Sequence, residues 1–379
     1  MQIPLNYRII LAMDKITKQN ADYHAIGFKR WFAWVVLGTI SLGMILYVFF
    51  MVFVFQIRAD IPEYIWSASD AFNIHDYSTI NADTDGSFKI LQLSDLHFFG
   101  GTGKLDRKTY DLAQKLIDFS KPDLVIISGD ITFAVDNIAP TRKWINFMES
   151  TGVKWAVCFG NHDSTGYADK TKLASMYKAA PNSLFDYGPT NLNDNGKYNT
   201  LGNYAINITD STGSVKSSII LIDSNEFGTD KEEGRYAPIS YSTVEWYEWY
   251  INGLKDNNGG SILPSLLFFH IPLFECSLAM ENINMGQQGF NEKIYGSCKN
   301  TGMFSKIKAC GSTLATFSGH DHQNFYQSMY QGILLTNNIS CGYNTYGDKK
   351  LKGGRIIEIN VNQSDLALNT YILKASDLV

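Results

Sequence analysis

The sequence predicts an α/β fold of two stacked, mixed β-sheets flanked by helices, joined to one N-terminal transmembrane helix. Three observations carry this expectation. Apolar runs first alternate with amphipathic helical segments, later runs follow over shorter connections, and residues 31–57 contain no charged side chain. Strand–helix–strand alternation favours parallel pairing beneath covering helices, whereas closely spaced strands favour a second, mixed sheet.

From the N-terminus, residues 1–30 read as a tail, 31–57 as a transmembrane helix, 58–86 as a polar connector and 87–379 as one folded domain. At about 1.5 Å rise per residue, roughly 20 helical residues cross a bilayer core, so 31–57 can span it with some tilt. A buried soluble helix would rarely run so long without charge. A cleaved signal peptide would have a shorter apolar region and fewer residues ahead of it. The reading is a retained anchor in a lipid bilayer. Arg8, Lys15, Lys18, Lys29 and Arg30 precede the span, while Arg58 follows it among Asp60, Glu63, Asp70, Asp76, Asp83 and Asp85. Basic flanks stay cytoplasmic, which predicts a cytoplasmic N-terminus and a lumenal or extracellular domain.

Within the domain, eight runs read as buried strands: 89–93, 124–128, 155–159, 219–223, 266–269, 314–317, 333–336 and 356–361. Residues 106–119 form an amphipathic helix in which Leu112, Leu116 and Phe119 recur at helical spacing before Lys121-Pro122 stops it. Further helices are expected over 141–150 and 242–251.

Composition narrows the function. The net charge is −5, so no basic surface points to nucleic acid as a partner. Of the five cysteines, Cys158 lies in an apolar run and reads as a buried thiol. An exoplasmic location permits bridges among Cys276, Cys298, Cys310 and Cys341, with Cys276–Cys298 and Cys310–Cys341 one of three pairings. Acceptor triplets for glycosylation occur at Asn207, Asn338 and Asn362.

The chemistry lies where the apolar runs end. The first ends in Asp95-Leu-His97, the second in Gly129-Asp130, the third in Gly160-Asn161-His162-Asp163. The run 266–269 is followed by His270, and 314–317 by Gly319-His320-Asp-His322. Ligands of α/β sheets sit beyond the carboxyl ends of the strands, so these tips can converge. In extended backbone, residues two apart project the same way, which lets Asp95 with His97, and His320 with His322, face one site. Gly129, Gly160 and Gly319 allow tight turns and close approach. Taken singly, each element has an ordinary explanation as a surface turn, a helix cap or a core histidine. Taken together they are hard to explain so. His24 and His75 lie outside the domain, and all five remaining histidines stand at these tips. Carboxylate with imidazole suits Fe, Zn or Mn, whereas Mg and Ca prefer oxygen ligands.

This ordered set, D-x-H, G-D, G-N-H-D, H and G-H-x-H, resembles the calcineurin-like metallophosphoesterase superfamily over about residues 88–360. Phe269-His-Ile-Pro-Leu-Phe274, Gly319-His-Asp-His-Gln-Asn324 and Cys341-Gly-Tyr-Asn-Thr-Tyr-Gly347 are similar to the short purple-acid-phosphatase-like branch of plants and fungi. The resemblance implies an α/β/β/α sandwich and two transition-metal ions. Asp95, His97 and His322 would hold the first ion, Asn161, His270 and His320 the second, and Asp130 would bridge them. His162 would be the catalytic histidine. The implied reaction is hydrolysis of a phosphate ester by in-line attack of a hydroxide shared between the ions. Asp163 has two roles open to it, orienting His162 or capping the following turn.

One departure stands out. True purple acid phosphatases carry a tyrosine ligand three positions after the G-D aspartate and lack the histidine of D-x-H. Here those positions are Phe133 and His97, so a colourless centre is expected. The leading expectation is a phosphomonoesterase. The rivals are a phosphodiesterase resembling the acid sphingomyelinase-like branch and a binding module that has lost turnover. Specificity is expected from the loops 182–197 and 277–299.

Overall fold

In the computed structural model, which describes residues 5–53, 56–363 and 365–378, the chain divides into two units, Met1–Phe55 and Gln56–Val379. The first is a helix, α1 (Leu5–Phe53), so the expected tail is helical from Leu5 onward. Its segment Lys29–Phe50 is long and apolar enough to cross a membrane. Most of its apolar side chains are exposed, Trp34 to 74%. Ile57, expected at the end of the span, lies in the second unit. Its N–H donates to the Tyr167 carbonyl at 2.6 Å and its carbonyl accepts from the Asp169 N–H at 3.1 Å.

The second unit holds two mixed sheets. One contains β2 (Ser87–Leu93), β3 (Leu124–Ser128), β4 (Lys154–Cys158), β11 (Gly353–Asn360) and β12 (Asn369–Lys374), in the order β12-β11-β2-β3-β4. The other contains β1 (Ser78–Asn81), β5 (Tyr204–Thr209), β6 (Val215–Leu221), β7 (Ser265–Phe268), β8 (Thr313–Ser318), β9 (Gln327–Tyr330) and β10 (Ile333–Asn337), ordered β1-β5-β6-β7-β8-β10-β9. The helices are α2 (Lys104–Ser120), α3 (Ile138–Thr151), α4 (Lys170–Lys178), α5 (Tyr241–Asn257), α6 (Phe274–Ala279) and α7 (Met303–Cys310).

Alternation of side chains sorts the second sheet into two cores. Ile219, Leu221, Leu266 and Phe268 join residues of the first sheet in one apolar cluster. Their neighbours Ile220, Ile222, Leu267 and Phe269 join Trp246, Tyr247 and Tyr250 of α5 in another. The three expected helices form, with one adjustment in α2. Phe119 is 63% exposed, and Ala113 and Ile117 join Leu112 and Leu116 in burial instead. The helix ends at Lys121, whose φ of 46° reverses the chain before Pro122.

Three expectations are corrected. The supposed connector 58–86 is built into the domain: β1 pairs in parallel with β5, Trp66 is buried, and the Trp66 N–H donates to Asn191 Oδ1 at 2.9 Å. All five cysteines are free. Cys341 belongs to the core between the sheets while Cys310 packs on the one beneath α5, and Cys298 is exposed while Cys276 is buried. The acceptor triplets at Asn207 and Asn338 are enclosed. Asn207 accepts from the Tyr250 hydroxyl and Asn338 donates to the Gln92 carbonyl, leaving Asn362 as the exposed one of the three.

Arg355 of β11 ties the sheets together. Fully buried, it donates to the carbonyls of Phe325, Tyr326 and Asn337 at 3.0–3.2 Å and to Gln327 Oε1 and Thr370 Oγ1. Arg355→Met should take a donor from each of those carbonyls, the Tyr326 one keeping the Asn337 N–H, at about 1–3 kcal/mol for each acceptor left unpaired. The expected outcome is a loss of roughly 3 kcal/mol or more, read from the urea midpoint.

Candidate metal centre

Parallel pairing of β2 with β3, β3 with β4, and β7 with β8 sends the carboxyl ends of five strands to one side. Backbone bonds then lace the tips together. Asp95 N–H donates to the Gly129 carbonyl, His97 N–H to the Asp130 carbonyl, and Gly319 N–H to the His270 carbonyl, at 3.0–3.1 Å. Each tip is thereby held against one from a neighbouring strand.

The side chains meet in this space. Asp130 Oδ2 lies 3.2 Å from His97 Nε2 and 3.3 Å from His270 Nε2. Asp95 Oδ1 lies 3.3 Å from His322 Nε2, 3.8 Å from His97 Nε2 and 3.9 Å from His270 Nε2. His320 Nδ1 stands 3.3 Å from His270 Nε2. Two groups of donor atoms result, Asp95 with His97 and His322, and Asp95 with Asp130 and His270, each within 4.8 Å mutual separation. Both carboxylates thus stand between the histidines, where the family pattern implies one bridging residue, Asp130.

The arrangement costs backbone strain. Asp95, His97, Asp130 and His320 adopt φ of 54°, 47°, 55° and 75°, a region that side-chain-bearing residues rarely enter and that clusters at functional sites. Glycines make room. A Cβ at Gly129 would strike the His270 ring, one at Gly160 the Asp130 carboxylate, and one at Gly319 the Ser94 hydroxyl.

Outer contacts hold the donors. His270 Nδ1 sits 2.8 Å from the Ser128 carbonyl, which fixes that nitrogen as the N–H and leaves Nε2 with its lone pair. Asp95 Oδ2 accepts from the Ser94 hydroxyl and the His320 N–H, and Asp130 Oδ1 accepts from the His162 N–H. Asn344 Nδ2 donates to the His97 carbonyl and to Asp106, which itself gathers four backbone N–H groups ahead of α2. Asp163 is buried and accepts from the N–H groups of Asp130, Ile131, Thr132 and Gly160. Neither expected role is what these bonds show: the carboxylate ties the β3 tip to the β4 tip, and His162 Nδ1 has no hydrogen-bond partner.

The residues fit a pair of cations. Asp95 Oδ1, His97 Nε2 and both polar atoms of Asn161 are buried with no hydrogen-bond partner. Buried polar atoms left unpaired cost about 1–3 kcal/mol each, so such a convergence implies a ligand. Mixed nitrogen and oxygen donors select transition metals over Mg or Ca.

Electrostatics make uptake sensitive to pH. Burial opposes charge on His97, but the Asp130 and Asp95 carboxylates beside it outweigh that and push its pKa up to about 9. Burial also opposes charge on His270, and the Asp130 and Asp95 carboxylates raise it to about 10. His320 falls to about 3 through burial and the His270 charge. Without metal, His97 and His270 are protonated at neutral pH. Their raised values stabilise the metal-free fold fully below the unfolded pKa of about 6.5, and that contribution is lost as pH rises through 9 and 10. Ligation needs their lone pairs, so metal must displace those protons. The expected outcome is a gap in melting temperature between metal-loaded and chelator-treated protein that widens from pH 6 to pH 10.

The centre opens into a cleft of about 580 Å³. His162 is half-buried there, its ring 5.4 Å from His97, 4.7 Å from Phe133 and 6.0 Å from Phe227. Tyr346 stacks on His322 at 4.2 Å, and Tyr236 meets His320 edge-on at 4.4 Å. Glu292 and Tyr295 bring the loop 277–299 to the cleft as expected. The loop 182–197 does not reach its wall: Asp186, Gly188 and Pro189 line a different cavity. Sequence reading passed over Arg235 and Tyr236, which sit in an irregular segment without motif. Asn344 and Tyr346 fall inside the Cys341–Gly347 motif, where periodicity gives no hint of their direction.

Comparison with known proteins gives the family. The sequence profile of the calcineurin-like phosphoesterases matches residues 88–324. A protein of Arabidopsis thaliana named "Probable inactive purple acid phosphatase 14" is 29% identical over 70% of this chain and 73% of its own length. Phosphatase DCR2 of Saccharomyces cerevisiae is 29% identical over 74% of this chain and 53% of its own. Among solved structures, a dimetal phosphatase from Danio rerio aligns over 75% of this chain and 98% of its own, at 12% identity and a TM-score of 0.46. With the ordered strand-tip residues and the profile extending over most of the domain, this chain belongs to the calcineurin-like phosphoesterase family.

Proposed function

We propose that this chain is a membrane-anchored phosphatase that hydrolyses phosphomonoesters at a dinuclear transition-metal centre. The observation that carries the reading is the meeting of Asp95, His97, Asp130, His270, His320 and His322 from separate strand tips, with Asp95 Oδ1 and His97 Nε2 buried and without a hydrogen-bond partner. Asn161 completes the donor set. Two bound cations would supply Lewis-acid neutralisation of phosphoryl charge and a water that ionises near neutral pH. Asp95 and Asp130 contribute the negative charge that offsets such cations.

The remaining work falls to side chains in the cleft. Burial lowers the His162 pKa, so the imidazole is neutral at rest and offers an N–H to a phosphoryl oxygen. That hydrogen bond strengthens as charge grows there in the transition state. The same ring, once it has taken up a proton from solvent, can pass that proton to the leaving alkoxide. Arg235 is the one arginine or lysine among the described residues lining the cleft. A monoester carries one more negative charge than a diester, and the guanidinium favours it. Phe133 packs against His97 at 5.6 Å where the purple enzymes have a tyrosine ligand, so iron-loaded protein should show no visible charge-transfer band.

The helix Lys29–Phe50 would hold the enzyme in the bilayer with its N-terminus cytoplasmic, since the basic residues precede it. Protection of the domain from protease in sealed vesicles is the expected result. The deciding experiment compares p-nitrophenyl phosphate with its bis-ester on the full chain at measured metal content. Faster turnover of the monoester is expected. A tenfold preference for the bis-ester would make the chain a phosphodiesterase. Full metal occupancy without turnover of either would make it a binding module, as the word "inactive" in its plant relatives' names suggests for them.

A further inference from the structure

A second cavity, of about 310 Å³, shares no lining residue with the metal cleft. Tyr64, Tyr77, Tyr204, Trp246 and Trp249 line it together with Asp76 and Asp186, Tyr204 and Trp246 being almost fully buried. No lysine, arginine or histidine does so among the described residues. Asp76 has no basic partner there; its Oδ1 accepts from Asn73 Nδ2. Asp186 pairs with Lys178 at 2.7 Å, an exposed bridge of the kind that solvent screens. The tyrosine hydroxyls register the resulting field. Burial raises the pKa of both Tyr64 and Tyr77, and the Asp76 charge raises both further.

Aromatic faces with a nearby carboxylate attract a weakly hydrated cation, each favourable ring contact giving about 0.5–2 kcal/mol. An ammonium with several N–H groups would leave them unpaired against rings, whereas an alkylated one would not.

We propose that this cavity binds a small quaternary ammonium ion, with the cation held between the aromatic residues Tyr64, Tyr77 and Trp249 and the Asp76 carboxylate. This chemistry occurs in free solutes of the choline type and in choline lipid headgroups. The site is independent of the phosphatase reading.

The test uses the full chain in maltoside micelles, titrated with choline chloride and followed by tryptophan fluorescence. A parallel titration uses the uncharged isostere in which carbon replaces the nitrogen. Choline should saturate the signal at a concentration about tenfold or more below the isostere, as loss of roughly 1.4 kcal/mol of cation-specific attraction requires. Asp76→Asn and Tyr64→Ala should each weaken choline several-fold while leaving the melting temperature unchanged. Equal responses to the two compounds, or no saturable response to choline, would overturn the proposal. Repeating the titration in discs of phosphatidylglycerol and of phosphatidylcholine identifies the source. Competition in the second marks a lipid headgroup, and its absence marks a free solute.

Discussion

Asp130→Ala is expected to abolish metal retention and hydrolysis together. Asp130 Oδ2 stands between His97 and His270 at 3.2 and 3.3 Å, and Oδ1 holds the His162 backbone. Its removal takes charge from the middle of the donor set and loosens the loop carrying His162. Several kcal/mol of lost stabilisation, at about 1.4 kcal/mol per factor of ten, corresponds to a fall of about a thousandfold or more in kcat/KM. Elemental analysis and turnover of p-nitrophenyl phosphate on the same preparation check it. Activity that survived with metal still bound would remove Asp130 from the centre.

His162→Ala should separate chemistry from metal binding. The imidazole borders the cleft, packs on Phe133 and Phe227, and has a buried Nδ1 with no hydrogen-bond partner. It is absent from both groups of converging donor atoms. The variant should therefore keep its metal and melting temperature while kcat falls roughly a hundredfold to ten-thousandfold, the usual share of a proton-transferring side chain. The loss should be smaller for a substrate whose leaving group needs no proton. A variant that lost metal in proportion to activity would make His162 a ligand.

The site was more legible than the shell around it, for a physical reason. Donors at strand tips leave a local signature, because a buried apolar run followed by Asp, Asn or His breaks the ordinary exchange of core for solvent. Asp95, Asp130 and His270 each sit at such a break. Arg235 has no such signature, since its placement in the cleft depends on how an irregular segment folds. The eight expected strands all formed, while β1, β5, β9 and β12 went unread. Edge strands β9 and β12 alternate exposed and covered residues and carry polar side chains such as Gln327 and Asn369. β5 hides Asn207 in its middle by pairing it with Tyr250. The cysteine pairing failed because spacing along the chain says nothing about which core a side chain enters. The N-terminal helix was legible from its lack of charge, but its end was not. Ile57 is as apolar as the residues before it, and only its ladder with Tyr167 and Asp169 takes it out of the span.

The hydrogen bond from the His320 backbone to Asp95 joins residues 225 positions apart. A growing polypeptide presents the D-x-H tip long before the last two imidazoles emerge from the ribosome. Until then, no early fragment can grip an ion with the full set of donors. Ion selection is thereby deferred to whichever compartment the finished chain occupies, and an ion seized prematurely by the first half has few bonds to keep it.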